Sequence, residues 1–179
     1  MISIENSLII IIDIQEKLLS MLKEDTISDK AAKLLQAGQI LGIPEIITEQ
    51  YPQGLGYTTV RLRQKVSENA VFIEKQSFSV MQEKGFRELL SKFKRNKILI
   101  GGIETHICVY QTVSDLIKEG YEVELVKDIT ASRNEFDFNT GIERMKQLGV
   151  RVTSLETALF ELLKTSSHPN FREIQRLIK

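Results

Sequence analysis

Short β-branched apolar runs alternate with helically spaced segments along the whole of the 179-residue chain. That alternation is the signature of strand–helix–strand units wound around a parallel sheet. The runs are Ser7 to Asp13, Glu45 to Thr48, Ala70 to Glu74, Lys97 to Gly101, Tyr121 to Val126 and Val150 to Thr153. The first and fourth are continuously apolar, as strands covered on both faces must be. The fifth alternates, with Val123 and Leu125 against Glu122 and Glu124, which suits a place nearer an edge. Between the runs, Ile27, Ala31, Leu34, Leu35 and Leu41 make one helical stripe, and Ile107, Tyr110, Val113 and Ile117 another. Thr153 to Glu156 reads as a capping box ahead of Leu155, Leu159 and Leu162, and Pro169 stands where a last helix carrying Phe171, Ile174 and Leu177 begins. The three prolines are scattered, no Ser/Gly tract interrupts the chain and no fixed period repeats. The expectation is therefore one domain over residues 1–179, a three-layer α/β/α sandwich around a six-stranded, mainly parallel sheet.

Composition removes several functions. Basic and acidic residues number 24 each, so the formal charge of zero argues against nucleic-acid binding through a basic field and against a polybasic membrane anchor. The longest apolar run, Leu8 to Ile12, is far short of the roughly 20 residues that span a bilayer. The N-terminal residues lack the basic head and cleavage site of a signal peptide, so a cytoplasmic protein is expected. One cysteine makes neither an intramolecular disulfide nor a sulfur-rich metal site, and the two histidines, His106 and His168, are too far apart for local ligand spacing.

In sheets of this kind chemistry sits outside the carboxyl ends of the strands, near the switch in strand order. The first strand ends at Asp13, where burial would raise a carboxylate's pKa and suit it to carry protons; helix capping is the plainer reading. The third ends at Lys75, able to lower a neighbouring thiol's pKa or orient a carboxylate, or else a solvated loop charge. The fourth leads through Gly101 and Gly102 to Cys108, placed in the first turn of the next helix. There, free amides and the helix dipole favour thiolate and could hold an oxyanion; a lone buried cysteine also serves simply as a small hydrophobe. Together the three supply a nucleophile, a proton acceptor and an orienting charge. No glycine-rich turn follows the first strand, the position after Asp13 wanted by a phosphoaspartate fold is Gln15, the arginine of a phosphocysteine phosphatase is replaced by Ser114, and no Gly-x-Ser-x-Gly elbow occurs.

Asp13 in Leu-Ile-Ile-Ile-Ile-Asp-Ile-Gln, Lys75 in Glu-Lys-Gln-Ser-Phe-Ser and Cys108 in Gly-Gly-Ile-Glu-Thr-His-Ile-Cys-Val resemble the motifs of the isochorismatase-like cysteine hydrolases, a superfamily that includes nicotinamidases and N-carbamoylsarcosine amidases. The resemblance covers nearly the whole chain. Thr48 to Gly56 and the tail from His168 are similar to the isochorismatase-domain-containing subgroup. It implies Cys108 as nucleophile, Asp13 as the base that later protonates the leaving amine, and Lys75 as the cation steadying both. It also implies a non-proline cis peptide at Ile103–Glu104 that aims the Glu104 amide, with that of Cys108, into an oxyanion hole, and a capping role for Thr105. Nicotinamidases carry metal ligands after the second strand, where this chain has Glu49-Gln-Tyr-Pro-Gln; no catalytic metal and no other cofactor is expected, and nicotinamide is disfavoured as substrate.

Gln15, Gln50, Tyr51, Phe78, Thr105 and Phe136 are the candidate substrate contacts, with core packing the alternative for Phe78 and Phe136, and solvent or Asp13 the neighbour of Gln15. His106 invites a Cys/His dyad, but its side chain points away from its near neighbour Cys108 on a helix. The expected activity is cysteine-dependent hydrolysis of a small amide, carbamoyl or related substrate through a thioester. Two alternatives stand beside it: an idle or redox-responsive binding protein of the same fold, and a vinyl ether hydrolase of isochorismate type. The neutral surface and the resemblance imply a homo-oligomer that takes a small-molecule substrate.

Overall fold

A computed structural model describes residues 1–179. Six strands, β1 (Ser7–Ile12), β2 (Glu45–Gln50), β3 (Val71–Lys75), β4 (Lys97–Ile103), β5 (Glu122–Ala131) and β6 (Arg151–Thr153), form one sheet in the order β3-β2-β1-β4-β5-β6. Every neighbouring pair is parallel. The helices are α1 (Glu16–Ser20), α2 (Ser28–Leu41), α3 (Pro52–Leu55), α4 (Val60–Arg63), α5 (Phe86–Lys92), α6 (Tyr110–Lys118), α7 (Glu135–Gln147), α8 (Leu155–Leu163) and α9 (Phe171–Ile178). A 3₁₀ turn spans Val80–Gln82 and a π-helical turn Thr105–Val109. No helix is long and apolar enough to cross a membrane.

The continuous apolar runs are explained by two cores. Along β1, Ile9 and Ile11 point into a cluster built with α2, α8 and α9, while Leu8, Ile10 and Ile12 point into another built with α5, α6 and α7. Because adjacent strand residues face opposite sides, a strand that divides two cores is apolar at nearly every position, and Ser7, its first residue, is the one polar side chain in β1. The chain leaves β1 toward β2 and β3 on one side and returns through β4 to β5 and β6 on the other. The switch point, and the crevice it opens, therefore lies between the carboxyl ends of β1 and β4.

Four details differ from the sequence reading. Gly101 and Gly102 do not turn the chain after β4; they lie inside it. A Cβ on Gly102 would sit 1.9 Å from the Ile12 carbonyl oxygen, and one on Gly101 would lie 2.3 Å from the Ile129 side chain, so glycine lets β1 and β5 approach. Strand β5 runs on to Ala131, because a register shift between Ile100 and Gly102 lets Lys127 and Asp128 leave the ladder before pairing resumes at Thr130. Glu124 is buried and ion-paired with Arg151 at 2.6 Å, which ends the alternation in that strand. The cap of α8 is Ser154, whose Oγ accepts from the Thr157 amide; Thr153 is the last residue of β6.

Candidate active site

Strand β1 ends where Asp13 adopts a left-handed conformation, φ 50°. Its amide still donates to the Thr48 carbonyl of β2, and Thr48 Oγ1 donates to Asp13 Oδ1 at 2.5 Å. Lys75 comes from the edge strand β3, in register with Gln50. Its side chain crosses the end of β2 and brings Nζ to 2.7 Å from Asp13 Oδ2, with both side chains wholly buried. Nζ also donates to Gln50 Oε1 at 2.6 Å and, at 3.2 Å each, to the carbonyls of Ser77 and Phe78. The ammonium is thus encircled by oxygen, as a buried cation must be.

Cys108 arrives from the other side of the switch point. The π turn is defined by the Val109 amide reaching back to the Glu104 carbonyl, which also accepts from Ile107. Such widened turns are frequent at functional sites. Here the extra residue changes the helical phase, so that Cys108, Val109, Thr112, Val113 and Leu116 face the core, while Ile107, Tyr110 and Ile117 are only half-buried. This is why the stripe read from the sequence is rotated. Helix α7 packs so close on the turn that a Cβ on Gly141 would lie 3.0 Å from the His106 backbone.

Electrostatically the site departs from the expectation of a ready thiolate. Burial pushes the Cys108 thiol up to about 12, the Asp13 carboxylate adds to the rise and Lys75 opposes it. The Asp13 carboxyl is raised by burial as well, against the opposing charge of Lys75 and the hydrogen bonds it accepts. The resting site is therefore a protonated thiol beside a lysine–carboxylate pair. Cys108 Sγ lies 4.0 Å from Gln50 Oε1, and the thiol also interacts with the Asp13 carboxylate.

The remaining candidates separate. Gln50 lies beside the thiol, its Nε2 donating to the Gln76 carbonyl. The Gln15 backbone amide donates to the Asp13 carbonyl at 2.8 Å, while its buried side chain donates to the carbonyls of Gln50 and Gly56 and accepts from the Gln50 amide, so it holds the end of β2 in place. Tyr51 is half exposed, and its ring covers Gly54, where a Cβ would meet it at 2.1 Å. Phe78 and Phe136 are exposed and not core residues. Thr105 is fully buried with its hydroxyl unpartnered. The Ile103–Glu104 peptide is cis. His106 turns away from the thiol, its Nδ1 3.0 Å from Ser132 Oγ. The Glu49 carboxylate accepts from the Thr58 amide and from Arg63. His168 accepts from the Asn170 amide at the approach to α9.

Sequence reasoning missed Thr48, which donates to Asp13, and Arg133, whose Nε lies 2.6 Å from the buried Glu104 carboxylate. Thr48 is the one hydroxyl residue in the buried Ile-Ile-Thr run of β2, a signal available in the sequence. Arg133 follows the true end of β5 at Ala131, well past Val126, where the apolar run stops, and it carried no signal of its own.

A six-stranded, all-parallel sheet covered by helices on both faces is the fold of the isochorismatase-like hydrolases. The isochorismatase domain profile matches residues 7–157, and the chain belongs to this family. It is 38% identical over 178 residues to isochorismatase domain-containing protein 2 of Danio rerio, covering 99% of this chain and 89% of that one. A solved structure described as MAR1 ribonuclease from Caenorhabditis elegans superposes with TM-score 0.94 at 36% identity, over 99% of this chain and 91% of the other. The Escherichia coli YcaC gene product, described as an octameric hydrolase of unknown specificity, shares the fold with TM-score 0.87 at 20% identity, over 98% of this chain and 94% of the other.

Proposed function

We propose that this protein is a cysteine-dependent hydrolase that opens a small amide, carbamoyl or related carbonyl substrate through a thioester on Cys108. One observation carries the reading: side chains from three strand ends, Asp13, Lys75 and Cys108, are gathered into one buried cluster whose charges act on one another.

With the thiol protonated at rest, its proton has to leave during attack. As Sγ bonds to the substrate carbonyl carbon, Asp13 accepts the proton, and burial of Asp13 narrows the mismatch between acid and base. The carbonyl oxygen becomes an oxyanion, held by the amides of Glu104 and Cys108. Collapse breaks the carbon–nitrogen bond, and the proton on Asp13 passes to the departing nitrogen. Water then attacks the thioester while Asp13 takes its proton, the carbon–sulfur bond breaks, and the proton returns to Sγ. Lys75 holds the Asp13 side chain in place and pairs its charge whenever it is ionised, and Gln50 forms the wall nearest the sulfur. Tyr51, Phe78 and Phe136 remain rim contacts for the substrate, and Thr105 a support of the turn.

A panel of small amides, ureas and carbamoyl compounds, followed by product release and intact mass, tests this. The wild type is expected to turn over at least one member and carry an acyl mass on Cys108, while Cys108→Ala loses turnover by about 10³-fold or more. Equal turnover by both proteins would sink the mechanism. RNA belongs in the same panel because of the C. elegans neighbour's description; RNA cleavage that persists in Cys108→Ala would replace this reading with another. The homo-oligomer belongs to the proposal too, and a monomer in sedimentation at micromolar concentration would remove it.

A further inference from the structure

The carboxylate of Glu104 has no place in the reaction just described, yet it is buried at the residue whose amide faces the oxyanion. Its side chain is 7% exposed. Neither carboxylate oxygen has a conventional hydrogen-bond partner, and what compensates the charge is Arg133, with Nε 2.6 Å from Oε1; His106 Nε2 lies 3.6 Å from Oε2. His106 is itself held by Ser132 Oγ at 3.0 Å and faces Asp137 Oδ2 at 3.7 Å. Arg133 stands in the loop between β5 and α7, and its outer face lines a cavity of about 430 Å³ that Lys23 and Phe138 also line.

A buried carboxylate deprived of its countercharge is drawn toward water. That movement shifts the side chain of Glu104. The amide of the same residue can then no longer be counted on to aim at the oxyanion, whose stabilisation depends on donor placement within a few tenths of an ångström. We infer that Arg133 is a positioning residue: by pinning the Glu104 carboxylate it holds the oxyanion-binding amide in place, and it does so from a loop distant in sequence from Asp13, Lys75 and Cys108. The inference rests on the oxyanion role given to Glu104 above, and extends it to a residue that touches neither the thiol nor its two charged neighbours.

The test separates two reactions of the same thiol. Acylation of Cys108 by p-nitrophenyl acetate passes through an oxyanion; alkylation by iodoacetamide displaces iodide and forms none. In Arg133→Met, acylation is expected to slow about 10-fold or more, a fraction of the 10²–10³ lost with a whole oxyanion donor, while alkylation stays within about twofold of wild type. Arg133→Lys, which keeps the cation, is expected to recover part of the acylation rate. Equal slowing of both reactions means general disturbance of the site and overturns the inference, as does an unchanged acylation rate. Should the wild-type thiol fail to acylate at all, the oxyanion site itself falls, and the inference with it. Absence of amide turnover beside normal, Arg133-dependent acylation would count against the amide substrate alone and leave the role of Arg133 standing.

Discussion

At the residue scale, the decisive feature is that the thiol is held protonated by its surroundings. Its burial and the neighbouring carboxylate both disfavour thiolate, and Lys75 opposes them only in part. The alkylation rate of Cys108 in the wild type is accordingly expected to keep climbing with pH toward about 12, with no plateau near the 8.5 of a free cysteine. Asp13→Asn removes the carboxylate that raises the thiol and leaves Lys75 unopposed, so the rise moves to lower pH. The same variant is expected to lose amide turnover, because no group remains to carry the proton. A stopped-flow alkylation series against pH checks this, and an unshifted profile in Asp13→Asn would show that the two groups do not interact. A thiol of this kind is also poorly suited to redox sensing, which selects low-pKa, accessible cysteines. The candidate triad was legible as three polar residues at the ends of apolar runs; the direction of the cysteine's pKa was not, because a helix start predicts stabilisation of thiolate and only packing reveals the burial that outweighs it.

At the element scale, the packing of α2 against the start of β2 encloses a further buried acid. Glu45, 1% exposed, accepts a hydrogen bond from the Ser67 amide at 2.8 Å through Oε2, while Oε1 has no partner and lies where a Cβ on Gly38 would be 2.7 Å away. Burial raises its carboxyl to about 7 against an ordinary 4.5. Below 4.5 both folded and unfolded chains hold the proton and the group is neutral to stability. Between 4.5 and 7 the unfolded chain has lost its proton and the folded one has not, so stability falls with rising pH; above 7 the loss is complete at roughly 3 kcal/mol. Glu45→Gln removes this dependence. Urea unfolding at pH 5.5 and 8 is expected to shift the stability difference between the two proteins by about 2 kcal/mol in favour of the variant; a difference independent of pH would show that Glu45 keeps one protonation state across that range. The elements themselves were largely legible, since long buried helices such as α2 and α8 display their periodicity. The end of β5 and the phase of α6 were not, because a register shift and a π turn are responses to neighbouring strands and to α7, and neither leaves a periodic trace.

For the molecule as a whole, the two clusters of 23 and 19 buried residues lie on opposite faces of the same strands. Neither can open without exposing β1 and β4, which supply both. Thermal unfolding is therefore expected to be a single cooperative transition, with the calorimetric and van't Hoff enthalpies equal and with circular dichroism and intrinsic tyrosine fluorescence coincident; two separable transitions would mean that the faces melt as independent units. The layered parallel architecture follows from the amino-acid sequence, through strands apolar on both faces, and so does the identity of three groups with chemical potential at their ends. How those groups meet follows from tertiary packing. The strand order places Lys75 two strands away from Asp13 with a buried path between them, Gly102 and Gly101 of β4 admit β1 and β5 to close approach, and the loop after β5 brings Arg133 to Glu104. Local pattern shows which strands are buried, but charge pairing and close approach are set by distances between residues remote in sequence, which it does not encode.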